Sequence, residues 1–138
     1  GVRRILQGEE FELLSAGQSE PNWEAPYLVV NIWATWCPPC RGELPELAAF
    51  YRSAAGSRVE LVAVNLSGTE NSPAEVRRFV RERELPFPVL LEAQGGIRDL
   101  CGAIAQATTC VVGPDGALIA RRTGVVSAGW LKREIPAE

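Results

Sequence analysis

Trp33-Ala34-Thr35-Trp36-Cys37-Pro38-Pro39-Cys40 decides how the rest of the chain is read. Two cysteines stand two residues apart, directly after the apolar run Tyr27 to Ile32. That run is short, β-rich and uninterrupted, which predicts a buried central strand. Downstream, Leu44, Leu47, Ala48 and Tyr51 recur at i, i+3, i+4 and i+7, one face of a helix. The Cys-x-x-Cys therefore falls at a strand-to-helix junction, with Cys37 at or just before the helix N-terminus.

Thiol chemistry favours that placement. The thiolate is the nucleophile, and an unperturbed cysteine with a pKa of ~8.5 is mostly protonated at neutral pH. Unsatisfied backbone N–H groups and the positive end of a helix dipole stabilise the anion. Cys37 is thus expected to attack, and Cys40, one turn deeper, to resolve the mixed disulfide. Pro38 and Pro39 suit a first turn, where a missing N–H costs little, and they stiffen the loop. A zinc site would need a second pair of ligands. The chain has no histidine, and Cys101 and Cys110 lie nine residues apart. No metal and no external cofactor are expected. A purely structural disulfide is disfavoured, because so short a loop constrains little of the unfolded chain.

At 138 residues, one domain with a single core is expected over 1–138. A net charge of −3 argues against a nucleic-acid partner, which needs a basic field. No apolar run approaches the ~18 residues of a membrane span. Gly1 and the absence of Met suggest a trimmed chain whose signal or anchor has been removed. An even number of cysteines permits an oxidising compartment.

Residues 1–26 are predicted to hold an edge hairpin, with arms Arg3-Arg4-Ile5-Leu6 and Glu10-Phe11-Glu12-Leu13, and then a polar loop. Trp23 in that loop is expected to dock on the core. Val59 to Val64 reads as a second buried strand. Ser72-Pro73-Ala74-Glu75 opens another helix as a capping box, and Val76, Phe79 and Val80 form its inner face. Its charged residues form a solvated outer face. Leu85 to Leu91 gives a turn and a short strand, and Gly96 to Gly102 a brief helix. Thr108 to Val112 and Ala117 to Arg121 flank the turn Gly113-Pro114-Asp115-Gly116. Ser127 caps a last helix carrying Trp130, Leu131 and Ile135 inward. Strands alternating with helices imply an α/β fold with parallel pairing, and the hairpin adds an antiparallel edge.

The segment Val30-Asn31-Ile32-Trp33-Ala34-Thr35-Trp36-Cys37-Pro38-Pro39-Cys40-Arg41-Gly42-Glu43-Leu44-Pro45 resembles the active-site segment of the TlpA/ResA-type proteins. These are extracytoplasmic thiol–disulfide oxidoreductases of thioredoxin-like fold. The likeness is strongest in the motif, continues from about Tyr27 to Ile135, and is poor before residue 27. It implies a thioredoxin-like fold, a central mixed β-sheet flanked by helices, with a TlpA-type insertion from Asn65 to Leu91. It implies a monomer outside the cytoplasm that reduces protein disulfides, with apocytochrome c or another extracytoplasmic protein as substrate. A membrane thiol donor would recycle it, and Trp36 would contribute to partner contact.

The resemblance also assigns neighbours to the disulfide. Asn31 stands where many thioredoxins carry a buried aspartate that accepts the resolving cysteine's proton. A neutral amide cannot do so. Relatives bring a glutamate from the insertion toward the disulfide, and Glu70 is the nearest positional match. Glu43 is expected to be an exposed first-turn acid, favourable to the dipole. Pro45 is expected to kink the first helix. The family pattern Gly-x-Pro-Thr-Thr appears here as Ala105-Gln106-Ala107-Thr108-Thr109, without its cis proline. A cis bond before a non-proline costs ~3 kcal/mol, so Gln106–Ala107 is expected to be trans. That loss affects strand-like substrate docking and makes adventitious metal binding easier. Cys101 and Cys110 are read as buried thiols, or as a second disulfide if their Cα atoms fall within about 7 Å. Two other readings stand beside the reductase: a non-catalytic interaction module with a degenerate substrate loop, and an oxidant or isomerase.

Overall fold

A computed structural model describes residue 6 and residues 11–14, 20–54, 58–66, 69–92 and 107–136. In chain order the elements are β1 (Phe11–Leu14), β2 (Tyr27–Trp33), α1 (Pro38–Ala54), β3 (Val59–Leu66), α2 (Pro73–Arg83), β4 (Val89–Glu92), β5 (Thr108–Val112), β6 (Leu118–Thr123) and α3 (Ala128–Glu134). The six strands form one sheet in the order β1-β4-β3-β2-β5-β6. β2 runs parallel to β3, and β3 parallel to β4. β1, β5 and β6 join antiparallel.

The apolar runs read as central strands are central. Every residue of β3 is buried, and so are all of β2 except Tyr27. Side chains alternate between two cores, as the pleat requires. Val29, Trp33, Leu61, Ala63, Val89, Leu91 and Val111 face the side covered by α1, α2 and α3. Leu28, Val30, Ile32, Val62, Val64, Leu90, Cys110 and Val112 face the other side. Three polar side chains interrupt the first face: Asn31, Asn65 and Thr109, all fully buried.

Local signals set the boundaries. Ser72 caps α2 by accepting the Glu75 N–H at 3.2 Å, with Pro73 in the first turn. Ser127 caps α3 by accepting the Trp130 N–H at 3.0 Å. In the β5–β6 turn, Gly113 and Ala117 bond at 2.8 Å and Asp115 Oδ1 accepts the Ala117 N–H at 3.0 Å. Gly116 has a φ of +86°, a conformation that favours glycine. A register shift between Val111 and Val112 moves β6 slightly C-terminal of the expected Ala117–Arg121.

The N-terminal hairpin needs correction. Leu6 is helical rather than extended and packs into the second core. The strand at Phe11–Leu14 pairs with β4, Phe11 opposite Glu92, and the turn expected around Gln7-Gly8 lies outside the described residues. An isolated two-stranded hairpin is marginal in water, whereas the β4 edge offers a preformed ladder. Trp23 is half-buried against the second core, as expected for docking. Its loop is pinned by buried Glu60, whose Oε2 accepts the Asn22 N–H at 2.7 Å. The brief helix at Gly96 to Gly102 and residue Cys101 lie outside the described residues, as does Gln106 of the Gln106–Ala107 bond.

Candidate active site

β2 ends at Trp33, four residues before Cys37, and α1 begins at Pro38. The parallel β2–β3 pairing carries this junction to the end of the sheet where open α/β folds place their sites. Cys37 and Cys40 form a disulfide with Cα atoms 5.2 Å apart. Cys37 is 6% exposed and Cys40 0%. The sulfur nearer the helix start is therefore the one a partner can reach. The Cys40 N–H points to Cys37 Sγ at 3.4 Å, a first-turn donor aimed at the sulfur that becomes a thiolate. Pro38 and Pro39 are exposed beside it.

Glu43 is the residue that the sequence reading misplaced. It is 0% exposed, not a solvated first-turn acid. It sits three residues after Cys40 and four before Leu47, on the apolar stripe of α1. That spacing was the available signal. A buried carboxylate needs donors, and two are present: Asn31 Nδ2 at 2.7 Å from Oε1, and the Val126 N–H at 2.8 Å from Oε2. Burial pushes the Glu43 carboxyl above its ordinary range, while the Val126 and Asn31 hydrogen bonds draw it part of the way back. Asn31 Nδ2 also donates to Thr109 Oγ1 at 2.9 Å. Asn31 is thus a buried amide whose donor side is committed to orienting the acid.

Glu70 reaches the approach to the disulfide rather than standing free in solvent. Its carboxylate accepts the Thr35 N–H at 2.6 Å, the Thr35 hydroxyl, and Asn65 Nδ2 at 2.8 Å. Next to it, Thr69 Oγ1 accepts the Trp36 indole N–H at 3.0 Å. The insertion therefore clamps the two residues that precede Cys37. Trp36 stays half exposed at 50%, an aromatic face beside the reactive sulfur. Ala107 is buried, and its carbonyl accepts the Gly124 N–H at 2.7 Å. Thr108 is buried on β5 opposite Ile32. Pro45 lies inside α1.

Cys110 is a buried thiol on β5, packed in the second core, on the opposite face of the sheet from Cys37 and Cys40. Its side chain packs among Leu28, Val30 and Val112, and Cys101, the other member of the expected second pair, lies outside the described residues. Among the described residues, no cluster of three or more His, Cys, Asp or Glu side chains could hold a metal ion.

The AhpC/TSA family model matches residues 8–121. The chain belongs to that family. Within it, sporulation thiol-disulfide oxidoreductase A of Bacillus subtilis is 28% identical over 131 residues, covering 95% of this chain and 74% of its own length. Thiol-disulfide oxidoreductase ResA of Oceanobacillus iheyensis is 38% identical over 93 residues, covering 67% of this chain. The chain spans about half of that relative, 47%. The crystal structure of StoA from Bacillus subtilis matches with a TM-score of 0.77 at 28% identity, over 90% of this chain and 95% of that one. The thioredoxin-like fold and the TlpA/ResA kinship expected from the motif hold. This AhpC/TSA chain is a thiol–disulfide oxidoreductase of the ResA/StoA type, with Cys37 and Cys40 as its cysteine pair.

Proposed function

We propose that this oxidoreductase works as a reductant of protein disulfides outside the cytoplasm, with apocytochrome c as one substrate and a membrane thiol donor restoring the dithiol. The reading is supported by the asymmetry of the two residues: Cys37 retains a small exposure, 6%, at the head of α1, and Cys40 is fully enclosed one turn below. Cys37 thiolate attacks one sulfur of the partner disulfide, and the other partner sulfur leaves as a thiolate. Cys40, once deprotonated, attacks Cys37 Sγ and releases the second partner sulfur. Two electrons pass to the partner, its thiolates take up two protons, and the Cys37–Cys40 disulfide remains.

In this reading Glu43 handles the Cys40 proton. It is the buried acid nearest Cys40 along α1, and burial raises its proton affinity above that of an exposed carboxylate, in the direction a proton acceptor needs. Asn31 and the Val126 N–H position it. Glu70 has a positioning role instead, holding Thr35 and hence the entry to the motif.

A redox titration with cysteine-resolved alkylation and mass spectrometry tests the direction of electron flow. Cys37 and Cys40 titrating together near −270 mV, as reducing thioredoxins do, support a reductant; a value near −120 mV reverses the assignment. Two cysteines that never pair remove the catalytic reading altogether.

A further inference from the structure

A second surface shares a wall with the redox site, through Val126, whose N–H bonds Glu43. Strand β6 is the last strand of the sheet, bonded to β5 on one side and to no other strand among the described residues. Val125, in the loop just after β6, is a large apolar side chain left 48% exposed. Between β6, that loop and α3 lies a pocket of about 380 Å³, within the size range of ligand sites. Arg122, Val125, Trp130 and Arg133 line it.

Its charge is net positive, two guanidinium groups against the single carboxylate of Glu46. The Arg122 guanidinium lies over the Trp130 ring, 6.0 Å from its centre. Among the described residues, no carboxylate forms an ion pair with Arg122 or Arg133. The acid in the wall, Glu46, is engaged with the Ala128 N–H at 3.0 Å. So two available guanidinium groups and an aromatic face line a concave site on a chain whose net charge is −3. Trp and Arg are the residue types that most often anchor protein interfaces.

We propose that this pocket docks an acidic segment of the protein partner, with carboxylates on Arg122 and Arg133 and an apolar side chain against Trp130 and Val125. The inference rests on the thiol–disulfide exchange reading, since docking there would present the partner's disulfide to Cys37. The wall of the pocket is tied to the site: the Gly124 N–H bonds Ala107 and the Val126 N–H bonds Glu43.

Two synthetic peptides test it, each with one internal disulfide followed by a run of leucine alternating with glutamate in one and with lysine in the other. Hydroxyethyl disulfide, which has neither run, gives the reference rate. The full chain is expected to reduce the glutamate peptide with a kcat/KM about tenfold above the lysine peptide. The preference should shrink as salt screens the guanidinium contacts. In an Arg122→Gln/Arg133→Gln double variant the ratio should fall to about one. Equal rates for the two peptides, or a double variant that keeps the preference, overturns the docking site while leaving the oxidoreductase reading intact. Failure to reduce any of the three disulfides overturns both.

Discussion

Cys37 and Cys40 differ in little but access, and that difference gives each a task. Replacing Cys40 with serine leaves the attacking sulfur and removes the resolving one, so mixed disulfides with a partner should accumulate and appear by non-reducing mass spectrometry. Cys37→Ser should capture none, because the remaining sulfur is enclosed. Glu43 carries a prediction of its own. Unfolded, it loses its proton near the usual 4.5; folded, burial holds the proton to higher pH. Between those two values the fold binds a proton that the unfolded chain has released. Stability from this group therefore falls as pH rises above about 4.5. Burial raises Glu60 as well, and its contribution has the same sign. Urea unfolding between pH 4 and 8 should show a shallower decline in Glu43→Gln than in the parent chain; identical slopes would sink the assignment. The acid's place was legible from its spacing to Cys40 and Leu47, but a charged side chain was assigned to water by type. Its donors were not legible, since Val126 lies 83 residues away.

Helix starts and the tight turn were readable because their chemistry is local. A capping hydroxyl three residues before its N–H, or a glycine at positive φ, needs nothing from the rest of the chain. Ser72 is such a case: its loss in Ser72→Ala should cost α2 about 1 kcal/mol, measured as a lower urea midpoint with an unchanged slope. The same helix ends on Glu84 in the left-handed region, φ +51°. Glycine avoids that strain, so Glu84→Gly should stabilise the fold by up to about 1 kcal/mol, read as a higher urea midpoint. The partner of β1 was not readable. Phe11 meets Glu92 across 81 positions, and no turn signal announces a pairing between strands so distant. Resemblance marks Glu70 only as the match for a glutamate near the disulfide; its bonding, to the loop backbone and to Asn65, depends on how the insertion folds back.

Among the described residues the strands form one sheet with a core on each face, and the larger core, beneath α1, holds the disulfide at its rim. Phe50 lies on the buried side of α1, fully enclosed. Phe50→Ala should cost about 3–5 kcal/mol, a large part of the ~5–15 kcal/mol that keeps a domain folded. Guanidinium unfolding should show this as an early single transition. The architecture was legible because strand-helix alternation with buried runs leaves few topologies. What covers the far face was not, since polar loops such as the one holding Trp23 give no periodic signal. That far face has one more consequence. Cys110 is enclosed there at 0% exposure, so a thiol-labelling reagent meets it only when the sheet opens. In a Cys101→Ser background with the Cys37–Cys40 bridge intact, Cys110 becomes a clock for breathing of the native state. At a stability of ~5 kcal/mol, roughly one molecule in 5,000 is open at any instant, and the labelling rate should fall short of that of an unfolded thiol by that factor.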